Sequence, residues 1–251
     1  SAIVTGKDNK IIDSYHDGIM EDNFIGGGAG NKIISDFRSV IVGGLSNVIK
    51  RTGGASLGKN VIVGGLANEI TGSVEANSVV GGDGNKIYGS LLDKGSSILG
   101  GSSNVISHNR FSVIVGGYNN LLKGRTDGTD QVDFNIIGGG EANKILTKGL
   151  GGYNGIFGGD TNRIGPSNYI HEYDQIDGNF IGGGTNNAID ATYEPGVFQL
   201  YGNVVGGGKN NDIIGTSYSI IGGGINNIIS SSTPGSDNVI PSGIFGGTSN
   251  T

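Results

Sequence analysis

Isoleucine and valine recur along this chain in short clusters, each at a fixed distance from a glycine pair and an asparagine. Residues 219–229, Ser-Ile-Ile-Gly-Gly-Gly-Ile-Asn-Asn-Ile-Ile, carry the pattern in full. Aligned on the asparagine, thirteen copies follow Ser/Asn-x-Ile/Val-x-Gly-Gly-x-x-Asn-x-Ile/Leu, anchored at Asn9, Asn31, Asn47, Asn68, Asn85, Asn104, Asn120, Asn143, Asn162, Asn187, Asn211, Asn227 and Asn250, with the closing Ile/Leu in the first twelve and the thirteenth breaking off at Thr251. The anchors are 16 to 25 residues apart. The opening position is Ser or Asn and the second glycine is present in all thirteen copies; the first glycine is replaced once, by Thr5.

No segment shows a helical apolar period, and each glycine would oppose a helix by about 1 kcal/mol. Short Ile/Val runs bounded by Gly and Asn predict strands. The eleven-residue motif and a five-residue connection make a minimal coil of sixteen residues: strand, Gly-Gly turn, strand, return turn. The expected fold class is all-β, a parallel β-solenoid (β-roll) of about thirteen coils with two short strands per coil. Residues 1–251 read as one repeat domain, and since the chain starts and stops inside motifs, as a segment of a longer fibrous protein.

Within each coil the Gly-Gly corner is expected to need a backbone that a Cβ would obstruct. The asparagine is expected to tolerate a left-handed dihedral and to bond its counterpart along the axis. The Ser/Asn row is expected to satisfy backbone groups at the other corner. Ile25, Ile41 and Ile62, with Ile33, Ile49 and Ile70 and their equivalents, are the predicted core.

A second pattern concerns the outside. The residue after the first core position is never polar, as at Val42, Val63, Val80, Leu99, Val115, Phe157 and Phe245, and the one before it is mostly apolar. A strand apolar on both faces is buried on both. The second strand instead carries Lys10, Lys32, Glu69, Lys86, Lys144, Arg163 and Asp212, and is expected to face water. A lone solenoid would leave an apolar stripe larger than monomers tolerate, which predicts a parallel homotrimer. The alternative is a wide flattened coil that covers its own stripe.

This Ser/Asn-x-Val-x-x-Gly ladder, with Asn77-Ser78-Val79-Val80-Gly81-Gly82 as its nearest phrase, resembles the head repeats of YadA-like trimeric autotransporter adhesins and the glycine-rich repeats of phage tail fibres. The present repeat is longer, lacks the alanines of those heads and varies in length. The resemblance implies a trimeric, extracellular recognition element on a bacterial cell surface or a virion tail.

Composition narrows the partners. The net charge of −6 argues against nucleic acid and anionic membranes. No apolar run reaches the ~18 residues of a membrane span, so no membrane insertion is expected in this segment. With no cysteine, disulfides and thiolate metal sites are excluded. Gly81-Gly82-Asp83-Gly84-Asn85 touches the calcium-binding nonapeptide pattern, but most copies lack the aspartate. No metal site and no cofactor are predicted, and the glycines precede no helix that could take a phosphate.

All length variation falls between the closing Ile and the next Ser/Asn, and such insertions line one edge of a solenoid. The two longest are consecutive, residues 165–178 and 190–202, and hold four of the nine tyrosines. Tyr169, Tyr173, Tyr193 and Tyr201 with Asp177 are predicted to bind a cell-surface polysaccharide or other glycan, rings against the sugar and carboxylate to its hydroxyls. A polysaccharide depolymerase is the alternative. Glu172, Asp174, Asp177 and Glu194 could supply a hydrolase's carboxylate pair, and His171 or Tyr173 a lyase's base. A third reading is a spacer without a ligand. Loops at 13–22, with Tyr15, His16 and Asp17, and at 123–133 have similar composition; His108 reads as an isolated surface residue.

Overall fold

The computed structural model describes residues 1–12, 22–53, 58–72, 74–90, 93–124, 134–147, 152–166, 175–190, 199–231 and 241–251. The chain divides into two compact units, the first Ser1–Tyr118 and the second mainly Gln131–Thr251 with Asn119–Arg125. Among the described residues the regular elements are strands of two to four residues, and none is a helix.

In the first unit one sheet stacks Ala2–Ile3, Phe24–Ile25, Val40–Ile41, Val61–Ile62, Ser78–Val79, Ser97–Ile98 and Val113–Ile114 in chain order, all parallel. The other sheet stacks Lys10–Ile12, Lys32–Ile34, Val48–Lys50, Glu69–Gly72, Lys86–Gly89 and Val105–Ser107. The second unit repeats the plan. Ile136–Ile137, Gly155–Ile156, Phe180–Ile181, Val204–Val205, Ile220–Ile221 and Gly243–Ile244 form one sheet. Leu121–Lys123, Lys144–Leu146, Arg163–Ile164, Ala188–Asp190, Asp212–Ile214 and Ile228–Ser230 form the other. This is a parallel β-solenoid. The predicted core pairs in register, with Ile25, Ile41 and Ile62 in one sheet and Ile33, Ile49 and Ile70 in the other, all fully buried.

A third buried row had no counterpart in the expected two-strand coil. It stands three residues before the Ser/Asn position and comprises Asp36, Val74, Asp93, Asn109, Ile176, Leu200 and Thr216. Its polarity follows that position. Ahead of Ser39, Ser96, Ser112 and Ser219 it is polar; ahead of Asn77, Asn179 and Asn203 it is apolar. The reason is reach. An asparagine amide spans to the third-row carbonyl itself, as Asn154 does to Ile176 O and Asn179 to Leu200 O, both at 2.8 Å. The shorter serine is met by a polar side chain: Ser39 Oγ donates to Asp36 Oδ2 at 2.7 Å, and Ser112 Oγ to Asn109 Oδ1 at 3.2 Å. In the two coils with the longest insertions this row becomes a third strand pair, Gln175–Asp177 beside Gln199–Tyr201.

The core supplies only two or three aliphatic side chains per coil, so polar groups carry much of the layering. Within each unit, every motif asparagine that has a following layer accepts on Oδ1 the backbone N–H of the asparagine one layer on, at 2.9–3.1 Å. Its amide nitrogen donates to the glycine carbonyl four residues back and to one in the next layer; for Asn47 these are Gly43 O and Gly65 O, both 3.0 Å. The Ser/Asn row runs the same relay, from Ser39 N–H on Asn23 Oδ1 at 2.9 Å to Asn77 N–H on Asn60 Oδ1 at 3.1 Å.

The left-handed residue is not the ladder asparagine, as expected from the sequence, but the one preceding it. Ser46, Ala67, Ser103, Asn186 and Asn210 have φ of 52–57°. The same holds ahead of the Ser/Asn row, where Arg38, Ala76, Phe111, Tyr153 and Tyr218 have φ of 50–58°. Both corners thus use one left-handed residue to swing the next side chain inward. Its strain, roughly 1–2 kcal/mol, is offset by the bonds that side chain then makes.

The two glycines of each pair also differ. Gly65 has φ +91° and a Cβ there would fall 2.2 Å from Gly82 O, so glycine is obligatory. At Gly64 a Cβ would meet nothing within 4 Å, and the same is true at Gly43, Gly81, Gly100 and Gly116. At these five positions the fold of a single chain therefore does not require the first glycine, which is consistent with Thr5 occupying the equivalent position in the first coil, whereas φ of 151–156° favours glycine at Gly139, Gly183 and Gly246.

On the outer face of the first sheet, Val42, Val63, Val80, Leu99 and Val115 follow one another layer by layer and are 43–49% exposed. In the second unit the outer positions either side of the core residue trade bulk. Phe180 is followed by Gly182 and Ile220 by Gly222, whereas Gly155 is followed by Phe157, whose ring covers it and lies 4.9 Å from that of Phe180.

Asn211 and Asn210 provide a test of the ladder. Asn211 is fully buried, with its amide shared among Asn187 Oδ1, Gly207 O and Gly224 O, and with Asn227 N–H on its own Oδ1. Asn211→Ala should lower unfolding free energy by about 3 kcal/mol, because several buried groups lose partners. Asn210→Ser, at a half-exposed position that is serine in other coils, should stay within about 0.5 kcal/mol in the same denaturant titration.

Candidate functional site

The described ends of the two long insertions come together. Asp177 and Tyr201 are register partners in the added strand pair, above buried Ile176 and Leu200. Tyr201 N–H donates to Ser217 Oγ at 3.0 Å, and Ser217 Oγ donates to Gln199 O at 3.0 Å, which fixes the segment to the next layer. Tyr169, Tyr173 and Tyr193, and the candidate catalytic residues His171, Glu172, Asp174 and Glu194, lie outside the described residues, as do Tyr15, His16 and Asp17.

The structure adds two tyrosines that loop composition did not single out. The left-handed position ahead of the Ser/Asn row holds, layer by layer in the second unit, Tyr153, Gly178, Gly202 and Tyr218. Tyr153 is 62% exposed and stacks on Phe134 at 5.2 Å between centroids. Tyr218 is 51% exposed, lies over Gly202, and sits 6.5 Å from Tyr201. Gly178 has open space where its side chain would be, its nearest neighbour being Gly202 N at 3.7 Å. An exposed corner therefore presents aromatic rings on either side of a bare glycine backbone, with the Asp177 carboxylate beside it. Burial first, then the charge of Asp177 and the neighbouring Tyr218, raises the Tyr201 phenol above its ordinary value. Tyr201 thus stays protonated and can donate as well as accept.

A second feature lies on the outer face of the second sheet. Arg163, Ala188 and Asp212 are register partners on three adjacent strands, and the small Ala188 leaves a depression of about 240 Å³ between its charged neighbours. Arg163 pairs with Asp190 through Nη2 and donates from Nε to Gly165 O at 3.0 Å. Burial raises the Asp212 carboxyl, opposed by Arg163 and by the Ala188 backbone. Arg163 and Asp212 were expected simply to face water; both are only half-exposed.

His108 is not isolated. Its Nδ1 lies 2.8 Å from Ser107 Oγ and its ring meets Tyr88 edge-on at 5.9 Å. No group of three or more metal-ligating side chains occurs among the described residues. Compared with models of known protein families and with curated proteins, the chain matches none. The class that its geometry defines is the parallel β-solenoid, and its functional reading rests on its own surfaces.

The raised carboxyl of Asp212 has a measurable sign. A carboxyl that is harder to ionise when folded penalises the fold above its folded pKa and leaves stability unaffected below the ordinary value of 3.8. Asp212→Asn should therefore raise the melting temperature at pH 7 and leave it unchanged at pH 3, read by circular dichroism.

Proposed function

We propose that this chain is the shaft-and-recognition segment of a surface adhesin or phage tail fibre that binds cell-surface glycans along a lateral corner. The observation that carries the reading is the row Tyr153, Gly178, Gly202 and Tyr218 beside Asp177 and Tyr201. Exposed rings offer faces to a pyranose, the glycine backbone lets it approach, and Asp177 accepts its hydroxyls. A spacer has no use for aromatic side chains held at left-handed positions, where bulky residues are strained. The resemblance to YadA-like heads and tail-fibre repeats points the same way, to an extracellular location on a bacterial surface or virion.

In this reading about thirteen coils assemble as a parallel homotrimer through the outer face of the first sheet. Two features support it. The row from Val42 to Val115 is apolar and exposed, and the neighbouring first glycines have no steric need to be glycine within one chain. A second copy whose backbone approaches closely supplies that need.

Two measurements test the proposal. The mass in solution should be three times 25.5 kDa, and alanine at Gly64, Gly81 and Gly100 together should preserve the circular dichroism spectrum while dissociating the trimer. A monomer at micromolar concentration would contradict the assembly. Immobilised capsular or lipopolysaccharide glycans should retain the protein without being shortened, and Tyr218→Ala or Tyr153→Ala should weaken retention about tenfold. Shortened oligosaccharides would indicate a depolymerase, and no retention on any glycan a spacer.

A further inference from the structure

The depression over Ala188 is distinct from the aromatic corner and is built differently. It opens where the second strands end, with Arg163 just before one long insertion and Asp190 at the start of the other. Along the same outward row the chain places Lys144, Arg163, Ala188, Asp212 and Ile228, so the only missing side chain is the one between the cation and the anion. Their strands are two layers apart, about 9.6 Å between Cα atoms.

The chemistry of the lining is specific. Arg163 is committed to Asp190 and to Gly165 O, which fixes its guanidinium and leaves donors on the remaining nitrogen. Asp212 is half-buried beside the Ala188 backbone, and no side chain among the described residues hydrogen-bonds to its carboxylate. Asn186 donates its amide to Asn210 Oδ1 at 3.0 Å, so its carbonyl is held at the rim. Thr161 contributes a hydroxyl that can both donate and accept. With Arg163 and Asp190 mutually neutralised, the remaining charge is one carboxylate.

We infer that this depression is a second saccharide subsite, taking one neutral pyranose whose hydroxyl hydrogens go to Asp212 and whose hydroxyl oxygens accept from Arg163. The volume of about 240 Å³ suits one hexose ring and its first hydration water, not a longer chain. An acidic sugar is disfavoured, because Asp190 and Asp212 face the same space. The ring's apolar face rests on the Ala188 methyl group and on Ile214. The inference rests on the glycan-binding reading above and assigns it a specific pocket with a preference for uncharged units.

The test uses the intact chain and the methyl glycosides of glucose, galactose and mannose, with methyl glucuronide as the anionic probe, in ligand-observed saturation-transfer NMR. Ala188→Phe fills the depression at a row position that carries Leu121 and Ile228 elsewhere, so bulk there is compatible with the fold. Asp212→Asn removes the acceptor charge. The expected result is millimolar binding of at least one neutral glycoside, weakened about tenfold or more by each substitution and absent for the glucuronide. Melting temperatures of both variants at or above that of the parent chain show that the loss is local. Binding that survives Ala188→Phe and Asp212→Asn but is lost in Tyr218→Ala overturns the pocket and leaves the aromatic corner as the glycan site. No binding of any glycoside overturns the pocket, and only absence of polysaccharide retention as well overturns the glycan reading.

Discussion

A buried primary amide has to satisfy two donors and a carbonyl, and inside this protein the asparagine of each layer does so through its own glycine turn and through the layers above and below. Asn47 receives Asn68 N–H, gives its own N–H to Asn31, and divides its amide between Gly43 O and Gly65 O. A shift of one residue in any layer would leave several such groups unpaired in a dry interior, at roughly 1–3 kcal/mol each. The ladder therefore sets register, and register sets everything else. It stacks isoleucine on isoleucine, aligns the obligatory second glycines, and fixes which residues share an outer row.

What the ladder does not constrain is free to vary, and the proposed binding surfaces lie there. The left-handed residue ahead of each ladder position points outward and accepts anything from alanine to tyrosine. In the second unit that freedom yields the aromatic corner around Gly178. The outer row of the second sheet is equally unconstrained, and an alanine between Arg163 and Asp212 makes a depression without disturbing a core residue. The outer row of the first sheet is free of polar groups at its second position, and Gly155 with Phe157 keeps bulk constant where one residue shrinks.

Much of the fold was legible because the ladder imposes identity at fixed spacing. The core rows, the parallel order and the second glycine could all be read from aligned positions. The third buried row could not, because it lies in the variable segment and changes chemistry with its neighbour, from Asp36 beside Ser39 to Leu200 beside Asn203. The distinct role of the first glycine was hidden, since Gly64 and Gly65 are the same letter with opposite environments. Asp177 and Tyr201 were identified from loop composition and do pair in space. Tyr153 and Tyr218 fall in no unusual segment and become a candidate site only when layers 16 to 25 residues apart are placed side by side. Aligning residues one before the Ser/Asn row would have exposed them.

Layered register is the claim most directly open to measurement. Lys10 and Lys86 are 76 positions apart in sequence, are both exposed, and stand four layers apart through Lys32, Val48 and Glu69. With no native cysteine to interfere, spin labels can be attached at both sites and diluted with unlabelled chain. Pulsed electron paramagnetic resonance should give a narrow distance distribution near 19 Å, four times the interstrand spacing. A broad distribution, or one centred beyond about 30 Å, would contradict the stacked arrangement.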